Sequence, residues 1–546
     1  MDENRVAFFA ETDYRARHDR FGIKAKDRTK HVYVIGKTGM GKSTMLENMA
    51  IQDIQNGEGL AFVDPHGASA ERLLDYVPRE RLRDVLYFAP FDLDHPVSFN
   101  VMEDVGIDQR HLVVNGLMAS FKKIWPDVWS ARMEYILSNI LLALIEYPDS
   151  TLLGVNRMLS DKDYRKSVVD HTTDPTVKAF WIDEFARYTD RYMQEAGAAI
   201  QNKIGQFTSS PLIRNIVGQP KSSFDVRQMM DKRKIIIANL SKGRMGEINS
   251  HLIGGMLITK IYLAAMSRAD LNDAQMRVMP NFYLFVDEFQ SFANETFANI
   301  LSEARKYKLN LTLAHQYIEQ MVEEVRYAVF GNVGTLISFR VGAADAEYLE
   351  KEFAPDFTAE DLVNLGFAQV YLRLMIDGIG SRPFSARTIP LLPPPSHSFR
   401  EDIIRTSRET FGQTREKVET DILRWYQPIK PTSATREGPR VSERLERPQR
   451  PPPPPPIRRI PVREIRERGE MRPAPLSSLK EKRILETGNL RDLRKVLGEV
   501  LEDSEVDRSR KEEKGGIKTV VAGTSVPPPT QKEVPEDVLR KMLEVE

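Results

Sequence analysis

One nine-residue stretch constrains this chain more than any other: GKTGMGKST, from Gly36 to Thr44. The order glycine, four residues, glycine, lysine, serine follows directly on the apolar run HVYVI (His31 to Ile35) and opens a helical pattern. A loop of this kind cradles phosphate only when a strand leads into it and a helix leads out. Gly36, Gly39 and Gly41 let the backbone turn tightly, so that successive N–H groups can surround an anion. The following helix adds its positive N-terminal end. Gly36, Lys37, Thr38, Gly39, Met40, Gly41, Lys42, Ser43 and Thr44 are therefore the expected ATP-binding set. Lys42 is expected to reach the β- and γ-phosphates and to count among the catalytic groups, Ser43 to ligate Mg²⁺, and Thr44 to help at the α-phosphate.

The surroundings of the loop have the same character. GLAFVD (Gly59 to Asp64) and DVLYFAP (Asp84 to Pro90) are short β-branched or aromatic runs separated by helical patterns. The style resumes at KIIIANL from Lys234, NFYLFVD from Asn281, LNLTLAHQ from Leu309, GTLISFR from Gly334 and AQVYLRLM from Ala368. Apolar runs bounded by helices predict an α/β fold with a parallel-rich sheet covered on both faces. Between about Val105 and Met230 the strand signal disappears, and segments such as Ala131 to Tyr147 and Asp174 to Tyr188 show helical periodicity. The expected organisation is an N-terminal extension over 1–24 and a first core part over 25–104. An inserted all-helical domain over 105–230, a second core part over 231–390 and a short helical extension over 391–430 complete the folded portion.

Composition ends the folded portion. No Phe, Trp or Tyr follows Tyr426, and 21 of the 33 prolines lie from Pro390 onward, including the run Pro451 to Pro456. Residues 431–546 therefore read as a disordered tail. Short helices are expected near 478–503, where Leu493, Val496, Leu497, Val500 and Leu501 share one helical face, and near 535–546. From Arg440 to Arg472 ten Arg stand against five Glu. That excess is either a solvated linker or a loose grip on nucleic-acid phosphate. The whole chain carries 78 Lys+Arg and 78 Asp+Glu, so global charge points to no partner. It has no cysteine, which excludes a disulfide scaffold, thiolate metal sites and a cysteine nucleophile. The longest apolar run, Leu252 to Met266, is short of a bilayer span and carries Lys260 at its middle, so it reads as a buried helix. The charged N-terminus lacks a signal-peptide pattern. The expectation is a cytoplasmic protein with no direct membrane insertion.

A second element separates nucleotide binding from hydrolysis. NFYLFVDEFQ is an apolar strand ending in Asp287 and Glu288, two carboxylates where a sheet ends and a ligand sits. Asp287 is expected to hold the Mg²⁺ shell, and Glu288 to orient or deprotonate the attacking water, since phosphoryl transfer depends on positioning and charge stabilisation. Gln316, at the end of the strand in LTLAHQY, is a candidate to sense the phosphate or place water; its alternative is a strand-end cap. His315 reads as structural. In FVDPHG, Asp64 and His66 either touch the site or shape its turn.

Taken together, HVYVIGKTGMGKST, FVDPHG, the strand with VDEFQ and SEARKYKLNLTLAHQ resemble the HerA–FtsK superfamily of DNA-pumping ATPases, and among them the conjugative coupling proteins of type IV secretion. The resemblance covers roughly residues 25 to 390, inserted helical domain included. It implies a RecA-like homohexamer with ATP between neighbours, DNA in a central channel, and an arginine reaching the next subunit's γ-phosphate. Arg305 matches that arginine, with Arg340 in reserve. The chain departs from the coupling-protein pattern in lacking N-terminal transmembrane helices, and no room precedes Gly36 for the β-barrel of HerA proteins. Recruitment to the inner face of the membrane would therefore fall to a partner. A sequence-independent DNA translocase is the leading expectation. The alternatives are an ATPase for protein secretion or pilus assembly, and a nucleotide-gated adaptor whose helical domain and tail recruit secretion or mobilisation partners.

Overall fold

In the computed structural model, which describes residues 2–13, 18–103, 105–126 and 129–427, the apolar runs become thirteen strands. They are β1 (Val6–Glu11), β2 (Arg20–Lys24), β3 (Val32–Ile35), β4 (Gly59–Asp64), β5 (Val85–Phe88), β6 (Ile235–Asn239), β7 (Phe282–Val286), β8 (Leu309–His315), β9 (Thr335–Ser338), β10 (Gln369–Arg373), β11 (Met375–Ile376), β12 (Ile379–Gly380) and β13 (Phe384–Thr388). Eleven of them form one sheet in the order β2-β1-β13-β10-β9-β3-β8-β7-β4-β6-β5, and β11 and β12 pair as a separate hairpin. From β9 to β5 every pairing is parallel. From β9 outward through β10, β13, β1 and β2 every pairing is antiparallel. The fold is thus α/β with a RecA-like, parallel-rich sheet.

The parallel strands are buried on both faces because alternate side chains serve two cores. Val32, Val34, Leu60 and Phe62 meet Met45, Leu46 and Met49 of the helix Lys42–Gln55 on one face. Tyr33, Ile35, Ala61 and Val63 face the other way. There they join one continuous cluster with the helices Arg110–Ile124, Ala131–Glu146 and Glu247–Met266. The helical stretch between β5 and β6 therefore covers a face of the sheet and shares its core.

Five strands escaped the sequence reading: the short β11–β12 hairpin and three strands of the main sheet. β1 and β2, within the residues expected as an extension, and β13 build the antiparallel edge. β2 and β13 are only partly buried and lack the continuous apolar run of the parallel strands, while β1 has a short one, Val6 to Ala10, set among the charged residues of the N-terminus. Tertiary packing holds them: Phe9 and Ile23 are fully buried, and the Phe9 and Phe21 rings meet edge-on at 5.6 Å.

The reading that no segment is long and apolar enough to cross a bilayer needs correction. Glu247–Asp270 meets that length and composition, because the turns flanking the apolar run add length without enough charge to break the average. The most apolar window of that stretch is 72% buried within the protein. Two further helices, Arg400–Phe411 and Arg415–Trp425, follow the sheet. The polyproline run, the arginine-rich stretch and the two short helices expected near 478–503 and 535–546 lie outside the described residues.

Candidate nucleotide site

Strand order, more than any single motif, assembles the site. β8 lies between β3 and β7, and β4 lies beyond β7. Four parallel strands therefore end side by side, presenting the Gly36–Thr44 loop, Gln316, Asp287 with Glu288, and the Asp64 turn along one edge.

The loop is shaped by what lies beneath it. A Cβ on Gly36 would fall 2.5 Å from Phe339 Cβ, so only glycine lets the chain pass. Gly41 has φ +115°, a conformation that other residues rarely adopt, and it begins the helix that carries Lys42 and Ser43. Lys37 N–H donates to Arg340 O at 2.8 Å, and Ala368 N–H donates to Met40 O at 3.3 Å, so β9 and the segment entering β10 brace the loop. The Lys42 ammonium lies within it, donating to Gly36 O at 2.6 Å and Lys37 O at 3.1 Å. Burial lowers its proton affinity, while Glu288 and Asp287 work in the opposite direction.

Across the loop, Ser43 Oγ donates to Asp287 Oδ2 at 2.8 Å. Burial drives the Asp287 carboxyl up to about 6, helped by Asp64 and Glu288 and opposed by the Ser43 hydroxyl. Glu288 departs in the other direction. Burial alone would raise it, but the adjacent His66 imidazole and hydrogen bonds from Gln316 and Gln290, with Lys42 nearby, outweigh burial and hold it at about 2. Adjacent carboxylates with such opposed proton affinities can take different roles: one poised to bind a cation, the other ionised throughout the physiological range.

Gln316 joins the two halves. Its Oε1 accepts from Thr38 Oγ1 at 2.9 Å, and its Nε2 donates to Glu288 Oε1. A phosphate loop, a strand-end amide and a carboxylate thus form one hydrogen-bonded chain. His315 is buried and bonded through Nδ1 to Tyr33 OH at 2.8 Å, and burial drops its pKa to about 3. Asp64 shapes its turn, accepting from His66 N–H at 2.8 Å and Ala70 N–H at 2.9 Å. His66 reaches the site, with Nε2 3.8 Å from Glu288 Oε1.

The two arginines part company. Arg340 follows β9 at the same edge as the loop, and its backbone supports Lys37. Arg305 is exposed and precedes β8, at the other end of a seven-residue strand from Gln316. At about 3.3 Å per residue that strand separates them by roughly 20 Å. Arg305 therefore lies away from its own loop. Gln290 and Phe339 received no role from the sequence. Gln290 belongs to the same VDEFQ run as Glu288, and that neighbourhood is the signal that could have found it. Phe339 offers no local signal.

The residues suit a nucleotide and one hard divalent cation. No group of three or more His, Cys, Asp or Glu positioned for a metal exists among the described residues. A single hydroxyl with a single buried carboxylate instead fits Mg²⁺, which keeps waters and takes substrate phosphates as ligands.

The model of the family described as type IV secretory system conjugative DNA transfer matches residues 4–352. Among solved structures, the chain is similar to the bacterial conjugative coupling protein TrwBdeltaN70, with 14% identity, a TM-score of 0.50, and coverage of 70% of this chain and 88% of that one. It is similar also to the plasmid coupling protein TrwB in complex with ADP and Mg²⁺, with 15% identity, a TM-score of 0.50, and coverage of 70% and 90%. VirB4 of Thermoanaerobacter pseudethanolicus aligns with 12% identity, a TM-score of 0.45, and coverage of 74% and 99%. No curated protein matches the chain.

Proposed function

The chain belongs to the type IV secretory system conjugative DNA transfer family, and from that premise we propose that it is an ATP-hydrolysing DNA translocase working as a ring. The observation that carries this reading is the chain Thr38–Gln316–Glu288 beside the Ser43–Asp287 pair. A protein that merely bound nucleotide would have no use for an ionised carboxylate linked through an amide to the phosphate loop.

In this reading the Gly36–Thr44 loop and Lys42 bind the phosphates of ATP. Ser43 and Asp287 hold Mg²⁺, which supplies charge neutralisation at the β- and γ-phosphates. Glu288 orients the attacking water, and Gln316 reports the γ-phosphate to it. Arg305, remote from its own loop, serves the loop of a neighbouring subunit in a homohexamer, so hydrolysis depends on assembly. DNA is held through its phosphates without regard to sequence, because a motor must accept every base it passes. The protein acts in the cytoplasm, brought to the inner face of the membrane by a partner. Residues 105–230 serve as a helical domain for secretion or mobilisation partners, with the core parts 25–104 and 231–390 doing the hydrolysis.

Steady-state ATP hydrolysis with and without double- and single-stranded DNA, at two salt concentrations, tests the proposal. DNA should stimulate hydrolysis, added salt should weaken the stimulation, and Lys42→Ala and Glu288→Gln should abolish it. Robust hydrolysis indifferent to DNA would overturn the DNA substrate in favour of protein transport. Tight ATP binding without hydrolysis in an assembled ring would favour an adaptor.

A further inference from the structure

Glu288 leaves β7 with φ 50° and ψ 50°, a left-handed backbone that a residue with a side chain keeps only where its surroundings over-determine it. The turn that follows is firmly anchored. Ser291 N–H donates to Glu288 O at 2.8 Å, and fully buried Phe289 meets Phe297 edge-on with ring centroids 4.8 Å apart. This turn brings Gln290 back over the preceding carboxylate, where its Nε2 donates to Glu288 Oε2. Gln290 Oε1 is buried without a partner among the described residues. The carboxylate therefore decides which way the amide points, since the flipped amide would set oxygen against oxygen.

The other carboxylate oxygen is approached from two sides. Oε1 accepts from Gln316 and lies 3.8 Å from His66 Nε2. His66 is itself placed by the Asp64 turn, and its side chain, 58% exposed, forms the solvent wall of this corner. Three separate strand ends thus converge on one carboxylate, and none of the converging groups belongs to the phosphate loop or the cation pair.

We propose that Gln290 and His66 are positioning residues for ATP hydrolysis, holding Glu288 in the single rotamer that faces the phosphate loop, Gln290 through Oε2 and His66 from the solvent side of Oε1. This rests on the reading of Glu288 as the water-orienting carboxylate. Groups that act only by orienting another residue lower turnover while leaving ground-state binding intact, and losing one such support costs about 10–100-fold in activity.

The test uses the full chain and compares Gln290→Met, which keeps the length of the side chain without the amide, His66→Ala, His66→Gln, and Glu288→Gln alone and combined with each. ATP hydrolysis gives kcat and KM, and calorimetry with Mg–ADP gives affinity. Gln290→Met and His66→Ala are expected to lower kcat about 10–100-fold, with KM and Mg–ADP affinity within about twofold of the parent. His66→Gln, which keeps a donor where Nε2 lies, recovers most of the loss. In the Glu288→Gln background neither substitution alters the residual rate, because both act through that carboxylate. Unchanged kcat in both single variants, or an equal fall in the Glu288→Gln background, overturns the proposal. If Gln290→Met fails to fold, the His66 pair and its Glu288→Gln combination decide alone. If Glu288→Gln itself hydrolyses ATP at the parental rate, the assignment of Glu288 fails first, and that outcome is distinct from the others.

Discussion

Replacing Asp287 with asparagine should make the ligand-free protein more stable and the nucleotide complex weaker. Burial raises the Asp287 carboxyl from an ordinary 3.8 to about 6. The folded form therefore holds the proton more tightly than the unfolded chain does. Stability attributable to this group falls as pH rises from about 4 to about 6, and above about 6 the full penalty is present. A shift of about two units corresponds to about 3 kcal/mol. Asparagine avoids that penalty and can still satisfy both neighbours. Its Oδ1 can accept the Glu288 N–H that now lies 3.0 Å from Asp287 Oδ1, and its Nδ2 can donate to Ser43 Oγ. Allowing about 1 kcal/mol for the charge-assisted character lost at Ser43, the variant should gain about 1–3 kcal/mol at pH 8. Because much of the penalty is absent at pH 5, the gain there should shrink to about half. Denaturant unfolding of parent and variant at the two pH values measures the gap, and repeating it with Mg–ADP measures the cost. At a hundredfold excess over Kd the ligand should stabilise the parent by about 2.7 kcal/mol and the variant far less. A gap that is absent at pH 8, or that does not change with pH, would refute the argument that burial controls this carboxyl.

Other expectations follow from contacts elsewhere. Gly36→Ala sets a methyl 2.5 Å from Phe339 Cβ, so Mg–ADP affinity measured by calorimetry should fall at least about tenfold, and Phe339→Gly in the same chain, which removes that Cβ, should restore part of it. Arg28 and Asp53 form a buried two-fold pair, with both N–O distances 2.7 Å and the guanidinium 3.8 Å from the Tyr283 ring centroid. Arg28→Met should cost about 3–5 kcal/mol in unfolding free energy by stranding Asp53, and adding Asp53→Leu should recover most of it. Arg305→Ala should leave Mg–ADP affinity unchanged while reducing hydrolysis about 10³-fold or more, and mixing it with Lys42→Ala subunits should restore activity at mixed interfaces. Equal Mg–ADP affinity loss in Arg305→Ala and Lys42→Ala would contradict a role in the neighbouring site.

The phosphate loop, the paired carboxylates at the end of β7 and the α/β class were legible because each is written in consecutive residues. Glycine spacing specifies a turn, and an apolar run of five residues between helical patterns specifies a buried parallel strand. Local patterning also identified β3 to β10. It failed at β1 and β13, whose pairing spans hundreds of residues, Glu11 with Arg387, at β2, the edge strand beside β1, and at the short β11–β12 hairpin. It failed again at Gln290, since a glutamine after a strand carries no periodicity that marks a partner, and it left His66 open between touching the site and shaping its turn.

What the sequence by itself determined is the chemistry available: Lys42 and Ser43 in a loop that surrounds phosphate, and Asp287 and Glu288 at a strand end. What only the tertiary structure decided is which of those groups meet. β8 enters the sheet between β3 and β7, and that order sets Gln316 between Thr38 and Glu288 while leaving Arg305 at the far end of the same strand. Strand order comes from long-range packing of two apolar faces and from the crossovers that connect them, and no local propensity encodes it.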